Sequence, residues 1–177
     1  MYRILACLII FMVMFAPSAF AASASQQTTV SVTVNAVFSL TLDTSTIDFG
    51  TVSTGEFKEI PPGSGYHNKV TCSSNNGNIW RLLIQADSDL IAGVSSIPVN
   101  NMKWLSVYAS GSGTVNHPSS QGYVDFALSP ELVYESTQSE GANLPNGTDV
   151  QFKYAMYMPQ NQPAGTYQTT ILYTMTE

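Results

Sequence analysis

Metal binding needs a few residue types at particular spacings, and the histidines of this chain do not show one. His67 and His117 are the only histidines. Each lies in a polar, loop-like segment without a second ligand at a zinc-site spacing. Residues 87–89 supply two acidic ligands of a calcium loop but lack its glycine and distal glutamate. We therefore expect no metal site and no cofactor.

Nucleophilic and acid–base catalysis also lack a recognisable pattern. Serines stand between glycines at residues 63–65 and 111–113, but neither segment is a Gly-x-Ser-x-Gly elbow that leads into a helix. Asp125 and Glu135 would suit glycoside hydrolysis only if the fold brought them together. Acids on a solvated sheet face are much commoner. The sequence predicts a protein that is not an enzyme.

The tryptophans suggest two different uses. Trp80 alternates with the apolar Leu82, which predicts packing in the core rather than stacking on a ligand. Trp104 lies in a segment without clean alternation, so its direction stays open. If Trp104 is exposed beside Tyr108 or Tyr123, these rings form a platform for sugar rings, and the chain is a carbohydrate-binding module.

β-Strands must position these side chains, because apolar and polar residues alternate along much of the chain. Over residues 30–42 every even position is apolar, beginning with Val30, Val32 and Val34, and most odd positions are Ser, Thr or Asn. This period of two is typical of a strand with one buried face. The same alternation returns in three later segments, residues 80–86, 150–158 and 167–175.

Turn-forming segments rich in Gly, Pro, Asn and Ser separate these runs. Weaker strands are predicted between them, at residues 47–52, 56–60, 69–73, 102–109, 123–128 and 131–135. No helical periodicity exceeds two turns. About eight to ten short strands separated by turns predict an all-β, two-sheet antiparallel β-sandwich, Ig-like or jelly-roll-like, with an open β-barrel as the alternative.

The N-terminal segment predicts export. Arg3 precedes an apolar run over residues 4–16, which ends at Pro17 before small residues that suit a signal peptidase. The run is shorter than the roughly 20 apolar residues of a membrane-spanning helix. We expect a signal peptide cleaved after Ala21, with Ala24 as the second choice. The secreted chain would then meet the membrane only through this transient segment.

Residues 22–177 would then form one domain, large enough to bury a core without cross-links. Loss of Cys7 with the signal peptide would leave Cys72 as a single cysteine, which we expect to be buried. The chain has 6 basic and 12 acidic residues, and scattered basic residues do not suit nucleic acid. Charged residues make up only 10% of the chain. Such a surface suits packing against neighbouring molecules or wall polymer.

Three segments together resemble the WxL family of bacterial cell-wall-associated surface domains. They are residues 42–52 (LDTSTIDFGTV), 70–82 (VTCSSNNGNIWRL) and 164–177 (AGTYQTTILYTMTE). That family pairs a first strand containing Asp-Phe-Gly with a Trp-x-Leu motif and a terminal Thr-rich strand. Trp80 and Leu82 match the motif, and Tyr173 stands where the family usually has a second tryptophan. The resemblance implies a β-sandwich that associates noncovalently with the cell wall, through wall polymer or other surface proteins.

A second hypothesis comes from the length of the alternating run at residues 30–42. Fully extended, it spans on the order of 43 Å at about 3.3 Å per residue, more than most sandwich strands need. Its first half, with Val30, Val32 and Val34, would then serve as a donor strand in another copy of the chain, within a pilus, fibre or coat. We favour the alternative in which both halves pair within their own domain.

Overall fold

The computed structural model describes residues 24–177, so the predicted signal peptide lies outside the described residues. Within this range the chain forms twelve β-strands and three short 3-10 helices. The strands are β1 (Phe38–Leu42), β2 (Phe57–Ile60), β3 (Asn68–Ser74), β4 (Arg81–Ala86), β5 (Leu90–Ala92), β6 (Ser95–Ile97), β7 (Met102–Ala109), β8 (Thr114–Val115), β9 (Val124–Asp125), β10 (Glu131–Glu135), β11 (Thr148–Tyr157) and β12 (Ile171–Thr176). The predicted all-β class is confirmed. No helix of the described residues could cross a membrane.

The strands pair antiparallel in two main sheets. The first has the order β1-β3-β11-β7-β9, and β2 pairs with the end of β11 beyond β3. The second has the order β12-β4-β10-β8, and β5 and β6 form a separate hairpin. β1 and β12 are therefore edge strands with one partner each, β3 and β4.

The core lies between the two sheets, and period-two alternation explains its composition. In β3 every second residue is buried, so Val70 and Cys72 face inward while their neighbours face out. β4 presents Leu82 and Ile84 from the other sheet, and Trp80 is fully buried just before it. The predicted core position of Trp80 is confirmed, and the sandwich is held by interdigitated apolar side chains.

The first half of the alternating run does not belong to the core of its own chain. β1 begins only at Phe38, and residues 24–37 form no strand. The side chains of Val30, Val32 and Val34 are 88%, 87% and 77% exposed. The compact sandwich unit begins at Asn35. Our expectation that both halves pair within their own domain is wrong for the first half, because no described strand pairs with it.

Three other predicted strands are shortened or lost. Residues 47–52 form no strand, since Gly50 has a positive φ of 60° and its N–H donates to the Asp48 carboxylate. The strand predicted at 123–128 is reduced to β9, because after it the chain passes to the second sheet, where the Ala127 carbonyl accepts a hydrogen bond from Ala86. β12 begins at Ile171 rather than at residue 167.

Candidate functional site

A cleft of about 1270 Å³ lies between edges of the two sheets. One wall is the irregular chain after β1, residues 42–54, and the other is residues 162–173, which include the start of β12. β1 and β12 each have one strand partner. The cleft is therefore bordered on one side by the free edge of β12 and on the other by a segment that, beyond Leu42, forms no strand.

The inner surface of the cleft mixes polar side chains, such as Thr46 and Thr169, with apolar ones. Its apolar part consists of buried core residues and half-buried side chains from both walls, namely Leu90, Ile97, Met102, Met156, Ile47, Phe49, Met158, Tyr167 and Ile171. The buried residues form the floor of the cleft, and the half-buried ones, such as Phe49 and Ile171, pack against the core and keep part of their surface exposed. An alternating strand is the element whose side chains, at every second residue, would fit against such a surface.

Side chains replace part of the missing strand pairing along residues 42–54. The Thr46 carbonyl accepts a hydrogen bond from His67 Nε2 at 2.8 Å, and the Thr51 carbonyl accepts one from Lys58 Nζ at 2.9 Å. Both bonds are exposed. Backbone groups held only by exposed side chains remain open to pairing with another strand.

A small polar cluster lies at one end of the cleft, and we call Asn68, Tyr154 and Tyr173 the hydroxyl ring. Tyr154 Oη donates to Asn68 Oδ1 at 2.6 Å, and Asn68 Nδ2 donates to Tyr173 Oη at 3.3 Å. The two tyrosine hydroxyls also hydrogen-bond to each other. Burial raises the pKa of both tyrosines, so their hydroxyls stay protonated and serve as donors. Asn68 and Tyr154 gave no functional signal in the sequence.

The predicted aromatic platform does not form. Trp104 is fully buried, with its ring 5.2 Å from His117 and in contact with the core, whereas Tyr108 on the same strand is 54% exposed. The pairing register of β7 shifts against β11, because Ser106 pairs with one residue of β11 and Tyr108 pairs with the residue just before it. The side chains of Trp104 and Tyr108 therefore lie on opposite faces of the sheet. Tyr123 packs separately, edge-on to Phe57 at 5.9 Å. Stacking of sugar on Trp104 is thus ruled out by its burial.

The three residues of the WxL-like motif are placed by the core. Trp80 and Leu82 are fully buried, and Trp80 Nε1 donates to the Glu140 carbonyl at 3.1 Å. Tyr173 is half-buried and faces the cleft. The motif residues therefore have a packing role in this fold, with Tyr173 also contributing to the cleft.

Glu140 forms a buried polar cluster that we did not predict. Its Oε1 accepts hydrogen bonds from the Tyr134 hydroxyl at 2.7 Å and the Thr148 hydroxyl at 3.0 Å, and its Oε2 accepts the Thr137 backbone N–H at 2.9 Å. Burial raises the pKa of this carboxyl, but the hydrogen bonds outweigh it and the pKa is lowered overall. The Thr137-x-x-Glu140 capping box was the available sequence signal.

A glycine makes this cluster possible. A Cβ at Gly111 would lie 1.9 Å from Glu140 Oε1 and 2.1 Å from the Tyr134 hydroxyl, so no larger residue fits without displacing the carboxylate. Gly111 belongs to the Gly-Ser-Gly segment at residues 111–113. Gly111 and Gly113 of this segment lie close to Tyr134 at the end of the sandwich.

The remaining candidates for chemistry are spread over the molecule. Within residues 24–177 no group of three or more His, Cys, Asp or Glu side chains is arranged to hold a metal ion. Asp125 lies in the first sheet and pairs with Lys103. Glu135 lies in the second sheet and pairs with Arg81 at 2.9 Å. The two acids are not brought together.

Two features of the described chain are left without a partner of their own. One is the cleft between the sheet edges, and the other is the exposed alternating segment at residues 28–34. Known proteins offer no direct guide to their use, since no protein-family model matches this chain and no curated protein matches its sequence.

Proposed function

We propose that this protein is a structural subunit of a fibre, pilus or coat that assembles by β-strand donation. In this assembly residues 28–34 of one copy occupy the cleft of another copy. The observation that carries the proposal is the exposure of Val30, Val32 and Val34 on a strictly alternating segment. Apolar side chains at every second position are expected to be buried somewhere, and the described sandwich does not bury them.

The cleft matches this segment in length and chemistry. Residues 28–34 span roughly 23 Å when extended, at about 3.3 Å per residue. The wall at residues 167–173 has the same number of residues, and its odd positions are half-buried along the cleft. Residues 24–42 carry no charged side chain, so no charge has to be desolvated when the segment is buried.

Both burial and backbone pairing are needed to stabilise the assembly. Each fully buried valine contributes about 1.5–3 kcal/mol. Ordering the backbone of an extended segment costs about 1–2 kcal/mol per residue. Hydrogen bonds from the incoming strand to one or both walls of the cleft offset that cost, as in other cases where a strand is added to a sheet edge.

A pair of single substitutions tests strand donation. Val32→Asp is expected to abolish association, because the carboxylate would be buried in the cleft of the next copy without a partner. Thr33→Asp is the matched control, since the neighbouring side chain would point to solvent and association should persist. Sedimentation velocity over a range of concentrations, with electron microscopy of the products, measures both.

The same pair also reports on the fold. At concentrations low enough to keep all three chains monomeric, both variants should unfold at the same urea concentration as the unsubstituted chain, because Val32 is exposed in the isolated chain. Strand donation is contradicted if the unsubstituted chain stays monomeric at every concentration, or if Val32→Asp and Thr33→Asp associate equally well.

Wall association, which the WxL resemblance implies, is a separate prediction. Purified protein should sediment with insoluble peptidoglycan at low and physiological salt. The Val32→Asp variant should be used beside the unsubstituted chain, since it cannot sediment as a fibre. If both stay in the supernatant, this fold does not bind the wall by itself.

A further inference from the structure

The hydroxyl ring marks one end of the cleft. Tyr173 is the last residue of β12 that lines it, and Leu42 begins the opposite wall at the same end. The other end is formed by Thr54, Met158 and Gln162. Between the ends the inner surface carries apolar side chains such as Ile47, Phe49 and Ile171 beside polar ones such as Thr169. An incoming strand therefore meets a buried polar group first or last, depending on its direction.

The ring has hydrogen-bonding capacity left. Within the ring Asn68 donates one amide N–H to Tyr173, and its second N–H has no acceptor among the described residues. The Tyr173 oxygen also keeps a lone pair. A hydroxyl can donate to the oxygen of the half-buried Tyr173, whereas an apolar side chain would cover that oxygen without a hydrogen bond and leave it desolvated.

In residues 28–34, the side chains that would face the cleft follow the same order as the cleft itself, with the polar group at one end. Its even positions read Thr28, Val30, Val32 and Val34, so one hydroxyl at the start is followed by three apolar side chains. Placing Thr28 at the hydroxyl ring sets the three valines along the rest of the cleft, beside Ile171, Thr169 and Tyr167. The reverse direction would place Val34 against the ring.

We infer that Thr28 of the incoming copy lies at the hydroxyl ring and fixes the register of the donated strand. This inference rests on the proposed function. The strand then runs antiparallel to β12, with Thr28 opposite Tyr173, Val30 opposite Ile171 and Val34 opposite Tyr167. The cleft would thus accept residues 28–34 in one direction and one register. An apolar strand without the hydroxyl at its start would not be fixed in this way.

Disulfide cross-linking between copies measures this register. Leu172 is 50% exposed and faces away from the cleft. In the inferred register it lies opposite Thr29, whereas in the reversed one it lies opposite Thr33. Directly opposed Cα atoms are about 4.5–5.5 Å apart, within reach of a disulfide. A shift of four residues moves them roughly 13 Å along the strand.

The experiment mixes two singly substituted full chains under mild oxidation. Thr29→Cys with Leu172→Cys is the test, and Thr33→Cys with Leu172→Cys is its matched control. Burial raises the pKa of the native Cys72 thiol to about 12, so it stays protonated and unreactive. Each single variant alone gives the background. We expect at least tenfold more linked dimer from the Thr29 pair on a non-reducing gel.

A second measurement isolates the contribution of Thr28. Adding Thr28→Val should lower the yield of the Thr29–Leu172 link several-fold, since a fourth valine allows the strand to slip by two residues. Thr28→Ser keeps the hydroxyl and should keep the yield. The inference is overturned if the Thr33 pair links better, or if neither pair links while the unsubstituted chain still associates. A chain that never associates contradicts the proposed function instead.

Discussion

Replacing Trp80 with alanine is expected to lower the free energy of unfolding by about 3–5 kcal/mol. The Trp80 ring is fully buried and lies 5.5 Å from the ring of Tyr134. Its Nε1 also donates to the Glu140 carbonyl, which would lose this bond. The substitution therefore removes a large apolar group from the core and leaves a cavity beside a buried polar cluster. Urea unfolding followed by circular dichroism measures the loss.

Ile79→Ala provides the control for this prediction. Ile79 precedes Trp80 but is 40% exposed, so its truncation should change the unfolding free energy by less than about 1 kcal/mol. A loss for Trp80→Ala of the same small size would show that the ring does not support the core in solution. The tryptophan of the WxL-like motif would then be free for another role.

Acid is expected to destabilise the fold through Glu140. The pKa of this carboxyl is lowered in the folded protein, because hydrogen bonds from Thr137, Tyr134 and Thr148 outweigh the effect of burial. A group with a lowered folded pKa adds stability above its unfolded pKa of 4.5. That stability is lost as the pH falls through the folded pKa. Unfolding free energies measured from pH 7 down to pH 3 should therefore fall at the acidic end.

Substitution of Glu140 separates its contribution to the acid dependence from the contributions of the other acidic residues. Glu140→Ala should lower the free energy of unfolding by about 1–3 kcal/mol for each buried donor that it leaves unsatisfied. Glu140→Gln keeps an acceptor oxygen, so it should cost less at neutral pH and lose part of the acid dependence. Glu135→Gln is the control, since that side chain is in an exposed ion pair with Arg81. Identical acid profiles for the unsubstituted chain and Glu140→Gln would contradict the prediction.

An open cleft between sheet edges is expected to make the isolated protein prone to aggregation. Unpaired edges bind other strands, including unrelated ones, and cause aggregation unless they are covered. In the proposed assembly the donated segment of another copy covers the cleft, and the low charge of the chain does not oppose close packing. In the proposed assembly the open cleft would thus drive ordered association when residues 28–34 are present.

Much of the fold followed from the sequence because strand formation depends on local alternation. β7 and β10 have the predicted bounds of 102–109 and 131–135, and β11 differs from its prediction by one or two residues at each end. The burial of Trp80 followed in the same way from its apolar neighbour Leu82. In each case the side chains that share a face are set by the backbone period alone.

Features that depend on pairing between distant segments were decided by the tertiary structure. Trp104 and Tyr108 face opposite ways because β7 shifts its register against β11, which no local pattern reveals. The hydroxyl ring joins residues from three strands that are far apart in the chain. Alternation at residues 30–34 predicted a strand with one buried face, but the structure has no strand there. Only the tertiary structure showed that Val30, Val32 and Val34 are exposed in the isolated chain, because burial depends on which strand edges are free.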